Sequence, residues 1–363
     1  MSGAAARPPG GTAAADGGRP GPVAPSEGPA VLPAVGLAGC AEPLARAYDV
    51  ALLDLDGVVY VGADAVPHAV ASLAAARDLG QGAAYVTNNA LRTPAAVAAH
   101  LRRLGARAEA SDVVTSAQAA ARLLAERLPA GSRVLVAGGE GLRVALAERG
   151  LVAVGGAEDG AVAVVTGHDP EQTWARLAEA ALALGRGLPW VASNTDVSVP
   201  SPRGRLPGAG AVVALLSAAT GRDPDDVAGK PHPALHRESV ERTGARRPLV
   251  VGDRLDTDIA GAHAGGAASL LVLTGVTEAE DLLDLPPELR PTYLAADLRG
   301  LLTAQPAPRV QGATTIVGGA TARRTQEGLL VEGADALDRL RAAATACWAL
   351  RDAGSPRCPV SGV

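Results

Sequence analysis

Short, uninterrupted apolar runs recur along the chain, and each is closed by a polar or glycine-rich cluster. Val50-Ala51-Leu52-Leu53 gives way to Asp54-Leu55-Asp56-Gly57, and Ala83-Ala84-Tyr85-Val86 to Thr87-Asn88-Asn89. Pro248-Leu249-Val250-Val251 ends in Gly252-Asp253-Arg254-Leu255-Asp256-Thr257-Asp258. Runs of this length without alternation suit strands of a parallel sheet covered on both faces. Residues 133–137, 161–165, 190–192 and 269–273 read the same way. Between them the pattern predicts helices over 67–79 and 171–184, one opening at Thr93-Pro94, and others ending near Thr220 and Thr243. A short helical lead-in is expected from about Ala41 to Leu44. Strand and helix in alternation predict an α/β protein with a doubly wound parallel sheet.

The pattern also divides the chain. Residues 1–40 are rich in Gly, Pro and Ala, lack periodicity and contain no continuous apolar segment, so a disordered tail without a secretory signal is expected. A first βα series fills 41–129, a second fills about 130–224, and strands resume over 225–298. After a Pro306-Ala307-Pro308 linker, two short strands (about 314–317 and 329–331) and a helix predict a small ββα extension within 306–354. That helix would present Leu337, Leu340, Ala344, Cys347 and Arg351 on one face.

Composition changes this picture in four ways. A chain of 363 residues that is 48% hydrophobic can bury a sizeable core, and its length suits about two domains. A net charge of −5 gives no electrostatic reason to expect nucleic acid, and no apolar run approaches the ~20 residues of a membrane span. Cys40, Cys347 and Cys358 form no CxxC and cannot all pair, which fits a reducing cytoplasm. The chain is also flooded with Ala, Gly, Arg and Pro, the signature of G/C-rich coding. Against that bias a single Lys, Lys230, and three Asn, Asn88, Asn89 and Asn194, mark positions held by chemistry.

Candidate chemistry gathers at the strand ends, where open α/β sheets keep their ligands. Asp54 and Asp56, two residues apart, would face one site, and Gly57 permits a sharp turn there. Two such carboxylates require a cation or a shared proton, unless the segment is only an acidic turn capping a strand. Thr87, Asn88 and Asn89 ahead of a helix could donate to an anion, or could serve local turn bonding. Lys230, set between Gly229 and Pro231, can be aimed at a fixed point. The run Gly138-Gly139-Glu140-Gly141 departs from GxGxxG and does not support a dinucleotide site.

The order of these motifs resembles the haloacid dehalogenase superfamily of phosphatases, in particular its class IIA, NagD-like members (the 4-nitrophenylphosphatase, phosphoglycolate phosphatase and glycerol phosphate phosphatase types). The likeness covers about residues 48–285 and rests on Asp54 to Tyr60, Thr87-Asn88-Asn89, Gly229-Lys230-Pro231 and Gly252 to Ile259. It implies a Rossmann-like core built from 41–129 and 225–298, with residues 130–224 as an inserted α/β cap of the C2 type. It implies a Mg²⁺-dependent phosphatase that hydrolyses small phosphate monoesters through an aspartyl-phosphate. Asp54 would be nucleophile and metal ligand, and Asp56 general acid and, through its carbonyl, metal ligand. Lys230 would neutralise charge on nucleophile and phosphoryl group. Thr87, Asn88 and Asn89 would hold the phosphoryl group, and Asn194 of the cap would face the substrate. Asp253 would complete the metal site, with Asp258 behind it orienting Lys230 or a metal-bound water. Asp256, His68 and His232 receive no role, and Val199 stands where some relatives place a polar specificity residue. The partner implied is a small phosphorylated metabolite, with a homodimer through the cap or the extension also open. Some actinobacterial relatives resemble this chain in carrying a tail domain, an acetyltransferase-like remnant suited to packing or dimerisation.

Two rivals share these residues. A phosphomutase or phosphotransferase would use the same nucleophile but must retain its phosphorylated product. A receiver-like module also pairs Asp with Lys, but lacks a cap and a carboxylate two residues beyond the phosphorylated Asp.

Overall fold

In the computed structural model the strand Val50–Leu53 lies within a six-stranded sheet whose neighbours all run parallel. The structure describes residues 1, 3, 36–201, 203–355 and 359–363, so the tail expected at 1–40 falls almost wholly outside the described residues, as does Cys358. Across the sheet the order is Tyr293–Ala295, Ala268–Val272, Pro248–Gly252, Val50–Leu53, Gly82–Thr87, Val113–Thr115. From Val50–Leu53 the chain winds outward through Gly82–Thr87 to Val113–Thr115, then returns to the opposite side at Pro248–Gly252. The reversal point therefore lies between Val50–Leu53 and Pro248–Gly252, with Leu53 beside Val251 in register. The apolar runs are continuous because both faces are covered. Leu53, Leu249, Val251 and Leu270 enter one buried cluster, while Leu52, Ala84, Val86 and Val250 enter another.

Residues of the inserted series form a second parallel sheet, ordered Asp226–Val227, Trp190–Ala192, Ala163–Thr166, Arg133–Ala137, Val152–Val154. Its edge strand Asp226–Val227 falls past residue 224, so this sheet reaches into the stretch expected to belong to the core. Helix Ser116–Ala125 mediates between the two sheets. Thr115 caps it, accepting from the Gln118 N–H, while the Gln118 side chain accepts from the Thr115 N–H. One apolar cluster runs from Val86 and Val114 through Ala117, Ala121 and Leu124 to Val134, Val136 and Leu142.

A charged knot reinforces this junction. Glu238, fully buried on helix Pro233–Thr243, accepts from Arg149 of the inserted domain at 2.8 and 3.0 Å, from Arg122 at 3.3 Å and from Arg242 at 2.5 Å. Removing the carboxylate leaves three guanidinium groups without their shared acceptor. Glu238→Ala is expected to lower the unfolding free energy in urea by about 3 kcal/mol, the lower part of the range for a broken buried pair because the arginines keep some access to water.

The C-terminal extension holds more strands than the ββα unit expected. Arg309–Gln311, Thr314–Val317, Ala320–Arg324 and Leu329–Glu332 form an antiparallel meander, and Val360–Ser361 adds in parallel to Leu329–Glu332. Arg309–Gln311 escaped notice because it is wholly exposed, and Ala320–Arg324 because its inward positions are only alanines. Helix Ala336–Asp352 is buried on two sides. Ala342, Ala343, Ala346 and Cys347 cover the meander, while Leu340, Ala344 and Trp348 join Ile259, Leu271, Leu282, Leu285 and Leu294 of the core. Of the face expected from sequence, Leu340, Ala344 and Cys347 are buried, Leu337 is half-buried and Arg351 is exposed. Arg290 locks the contact, donating twice to Asp352 at 2.7 Å with its guanidinium 5.4 Å over the Trp348 ring. No helix among the described residues is long and apolar enough to cross a membrane.

Candidate active site

Adjacent parallel strands in register deliver their next residues side by side. Asp54 follows Leu53 and donates its N–H to the Val251 carbonyl at 2.8 Å, and Asp253 follows Gly252 on the neighbouring strand. Gly57 turns the chain away at φ +84°, and a Cβ there would sit 2.5 Å from Asp253 Oδ2. Gly275, after the strand Ala268–Val272, approaches the same carboxylate so closely that a Cβ would fall 1.9 Å from Oδ2. Only glycine tolerates both constraints at Gly57. The loop around Gly275 closes the site from that side: Thr274 Oγ1 donates to the Gly57 carbonyl at 2.5 Å, and the Val276 N–H to Asp253 Oδ2 at 2.7 Å. Sequence reasoning missed this loop, although its Thr-Gly-Val after a buried strand repeats the arrangement at the other strand ends.

Carboxylate oxygens of Asp54, Asp253 and Asp258 lie within 4.8 Å of one another. Such crowding is costly without compensating charge. Burial pushes the Asp54 carboxyl up to about 7; Lys230 pulls it back, and Asp258 and Asp253 push it further up. Asp253 is pushed up to about 6, again chiefly by burial and then by Asp258, against the pull of the Val276 N–H. Lys230 answers part of this charge. Its ammonium donates to Asp54 Oδ1, to Asp258 Oδ1 at 2.8 Å and to the Val86 carbonyl at 3.4 Å. Burial depresses its pKa, but Asp258 and Asp54 more than offset that and leave it raised. Asp258 is held from the other side by the Arg254 N–H at 3.1 Å, within the π-helical turn Leu255–Ile259.

One atom points to a further cation. Asp253 Oδ1 is buried and has no hydrogen-bond partner among the described residues. An unpaired carboxylate oxygen, beside the Asp54 carboxylate and with oxygen donors only, fits a hard divalent ion such as Mg²⁺. The structure thus brings together Asp54, Lys230, Asp253 and Asp258. The Asp56 side chain stands outside this carboxylate cluster and is exposed, leaving its main-chain carbonyl as the group it would offer a metal. The protein around the Asp56 carboxyl raises its pKa, while Arg92, Lys230 and His100 lower it. Beside it Tyr60 meets the His100 ring edge-on at 4.9 Å.

The amide residues divide differently. Thr87 is buried and its Oγ1 accepts from the Asn89 N–H at 3.1 Å. Asn89 Oδ1 accepts from Leu91 and Arg92 N–H groups at 2.9 and 3.1 Å, the local turn bonding that was the alternative reading. Asn88 uses its side chain on Lys230, whose N–H it accepts at 2.8 Å and whose carbonyl it reaches at 3.1 Å. Asn194, buried on the inserted domain, donates to the Asn88 carbonyl at 2.7 Å and braces its own loop by accepting from the Asp196 N–H at 3.0 Å. Asp256 pairs with Arg254 at 3.0 and 2.8 Å, outside the cluster. The Gly138–Gly141 run serves close packing. A Cβ on Gly141 would lie 2.5 Å from the Ala90 carbonyl, where the inserted domain touches the Asn88 loop.

With this geometry in place, the likeness to known proteins is specific. Residues 51–152 match a family model described as haloacid dehalogenase-like hydrolase, and residues 227–301 match a second, HAD-hydrolase-like model. Over 326 residues the chain is 46% identical to D-glycerol 3-phosphate phosphatase of Mycobacterium tuberculosis, covering 87% of this chain and 90% of the relative. An acid sugar phosphatase of Staphylococcus aureus is 37% identical over 255 residues, 70% of this chain and 96% of the relative. Among solved structures, glycerol phosphate phosphatase from Mycobacterium tuberculosis in complex with magnesium superposes with a TM-score of 0.80 at 44% identity, covering 88% of this chain and 94% of that one.

Proposed function

This chain belongs to the haloacid dehalogenase-like hydrolases, and we propose that within them it hydrolyses glycerol 3-phosphate. It is a Mg²⁺-dependent phosphatase of small phosphate monoesters. The observation that carries the narrower substrate is the extent of likeness to the glycerol 3-phosphate enzyme, 46% over 326 residues against 37% over 255 for the acid sugar phosphatase.

The residues divide the work as follows. Asp54 attacks phosphorus in line, forming a carboxyl–phosphate bond as the bond to the glycerol oxygen breaks. Lys230 keeps one Asp54 oxygen in place and offers positive charge to the phosphoryl oxygens as they gather charge. Asp54, Asp253 and the Asp56 carbonyl would hold Mg²⁺, which when bound would supply the remaining positive charge. Asp56 gives a proton to the departing alkoxide, then takes one from the water that cleaves the aspartyl-phosphate; burial shifts its pKa upward, the direction that favours its acid form. Thr87 holds the phosphoryl group by donating its hydroxyl hydrogen, while its oxygen accepts from the Asn89 N–H.

Purified enzyme with Mg²⁺ and a panel of phosphate esters tests the substrate. Glycerol 3-phosphate is expected to give a kcat/KM roughly tenfold above sugar phosphates and phosphoglycolate, about the discrimination that modest pocket contacts supply. A sugar phosphate or phosphoglycolate turned over as efficiently would overturn this assignment while leaving the phosphatase class intact.

A further inference from the structure

Among the described residues, the side-chain hydrogen bonds that link the cap loop to the catalytic lysine run through Asn88. Its amide makes three contacts that fix each other: Oδ1 accepts from the Lys230 N–H at 2.8 Å, and Nδ2 donates to the Lys230 carbonyl and to Asp196 Oδ2, both at 3.1 Å. The Lys230 N–H requires an acceptor, while the Lys230 carbonyl and the Asp196 carboxylate require donors, so only one orientation of the amide satisfies all three. Asp196 is therefore a lock on the Asn88 amide, and the amide in turn holds the main chain of Lys230 on both sides. The fit leaves no slack. A Cβ on Gly229, the residue before Lys230, would lie 2.6 Å from Asn88 Oδ1 and 2.8 Å from Asn194 Cβ.

Asp196 is itself carried by the cap. Asn194 Oδ1 accepts its N–H at 3.0 Å, and its carbonyl accepts the Gly210 N–H at 2.9 Å, at the start of helix Ala209–Thr220. A Cβ on Gly208 would fall 2.2 Å from the same carbonyl, so the loop sits tightly on that helix. Its charge is also felt by Arg254, whose other partner is Asp256. The cap residue thus meets the lysine loop, and its charge reaches Arg254 ahead of the Asp258 turn.

We infer that Asp196 is a positioning residue, through which the seated cap holds Lys230 in the pose that serves the reaction. Among the described residues no hydrogen bond or ion pair joins Asp196 to Asp54, Asp56, Asp253 or the Lys230 ammonium. It acts through Asn88, so that the ammonium at the far end of the Lys230 side chain meets Asp54 and Asp258 only when the cap loop is in place. The inference rests on the phosphatase reading and deepens it, since it assigns the cap a part in catalysis beyond enclosing the substrate.

Steady-state kinetics on 4-nitrophenyl phosphate and glycerol 3-phosphate, with Mg²⁺ saturating, test this. Asp196→Ala is expected to lower kcat about 30-fold on both substrates, as a small misplacement of a charged group does, with KM changed less than about threefold. Asp196→Asn, whose side-chain oxygen can still accept from Asn88, is expected to restore kcat to within about threefold of wild type. In an Asn88→Ala background, adding Asp196→Ala is expected to cost less than about twofold more, because the two act in series. A kcat within about threefold of wild type for Asp196→Ala, a loss confined to KM or to one substrate, or losses that multiply in the double variant would each overturn the inference. If Asp196→Ala does not fold, failure of Asp196→Asn to retain kcat while melting like wild type overturns it equally, and retention supports it. Lys230→Met assayed alongside separates the two levels. An active Lys230→Met enzyme refutes the role given to the lysine, whereas an inactive one beside an unaffected Asp196→Ala refutes only the link through the cap.

Discussion

Asp54→Asn is expected to lower the release of inorganic phosphate by roughly 10⁵-fold, as removal of a catalytic nucleophile does. The substitution keeps the size and planarity of the side chain and an oxygen that can accept from Lys230, yet an amide cannot form the acyl phosphate. Mass spectrometry of acid-quenched enzyme should then find no phosphoprotein. A residual rate within tenfold of wild type would reject Asp54 as nucleophile and with it the mechanism given above. The fold should not suffer. The folded protein holds the Asp54 proton up to about 7 against an ordinary value of 3.8, first because of burial and then because of its acidic neighbours. A raised carboxyl pKa means that ionisation costs the folded state stability. The cost is absent below the ordinary value, grows as pH rises from it and is complete above the folded value. Without Mg²⁺ at about pH 8, the variant should therefore unfold at or above the wild-type temperature. The difference should close as the pH approaches about 4.

Lys230→Met is expected to lower kcat about 10³-fold, the scale of removing one preorganised electrostatic group from a dry site. Its effect on the fold should run opposite to that of Asp54→Asn. The ammonium is the cation shared by Asp54 and Asp258, both within its reach in a buried cluster. Its loss leaves their charge uncompensated, so without Mg²⁺ the variant should unfold with about 3–5 kcal/mol less free energy than wild type. Added Mg²⁺ should recover part of that stability and little of the rate. Lys230→Arg separates charge from placement. A guanidinium restores the charge but not the compact ammonium that fits among two carboxylates and a carbonyl, so stability should return without activity. Rates near wild type for Lys230→Arg would show that the position needs only a positive charge.

How much of this was legible beforehand depended on side-chain size and on distance in sequence. The central strands stood out because Leu52, Leu53, Val250 and Val251 fill both faces of the sheet, and the chemistry stood out because it occupies the residues just beyond them. Single-letter scarcity singled out Lys230, Asn88 and Asn194, and all three meet within hydrogen-bonding reach. What stayed hidden was what such scarcity could not mark. Asp196 is one acidic residue among many, and its partner Asn88 lies 108 residues away. Gly57 and Gly275 are two glycines among 44, and their closeness to Asp253 emerges only when three strand ends converge. Val113–Thr115 and Tyr293–Ala295 are too short to show a period, and they acquire their conformation from the strands beside them. Asn88 and Asn89 illustrate the limit most clearly. Adjacent and identical, they hold the lysine loop and a local turn respectively, a division decided by which neighbour each amide can reach.

The double burial of helix Ala336–Asp352 bears on how this protein can be dissected. Ile259, which closes the turn carrying Asp258, belongs to the same apolar contact as Leu340, Ala344 and Trp348. A chain cut ahead of Pro306 would strip the cover from Ile259, Leu282, Leu285 and Leu294, unroofing oily surface directly behind the machinery that seats the lysine. The tail domain is thus a keel for the catalytic body, joined to it through the apolar face that Leu340, Ala344 and Trp348 share with Ile259.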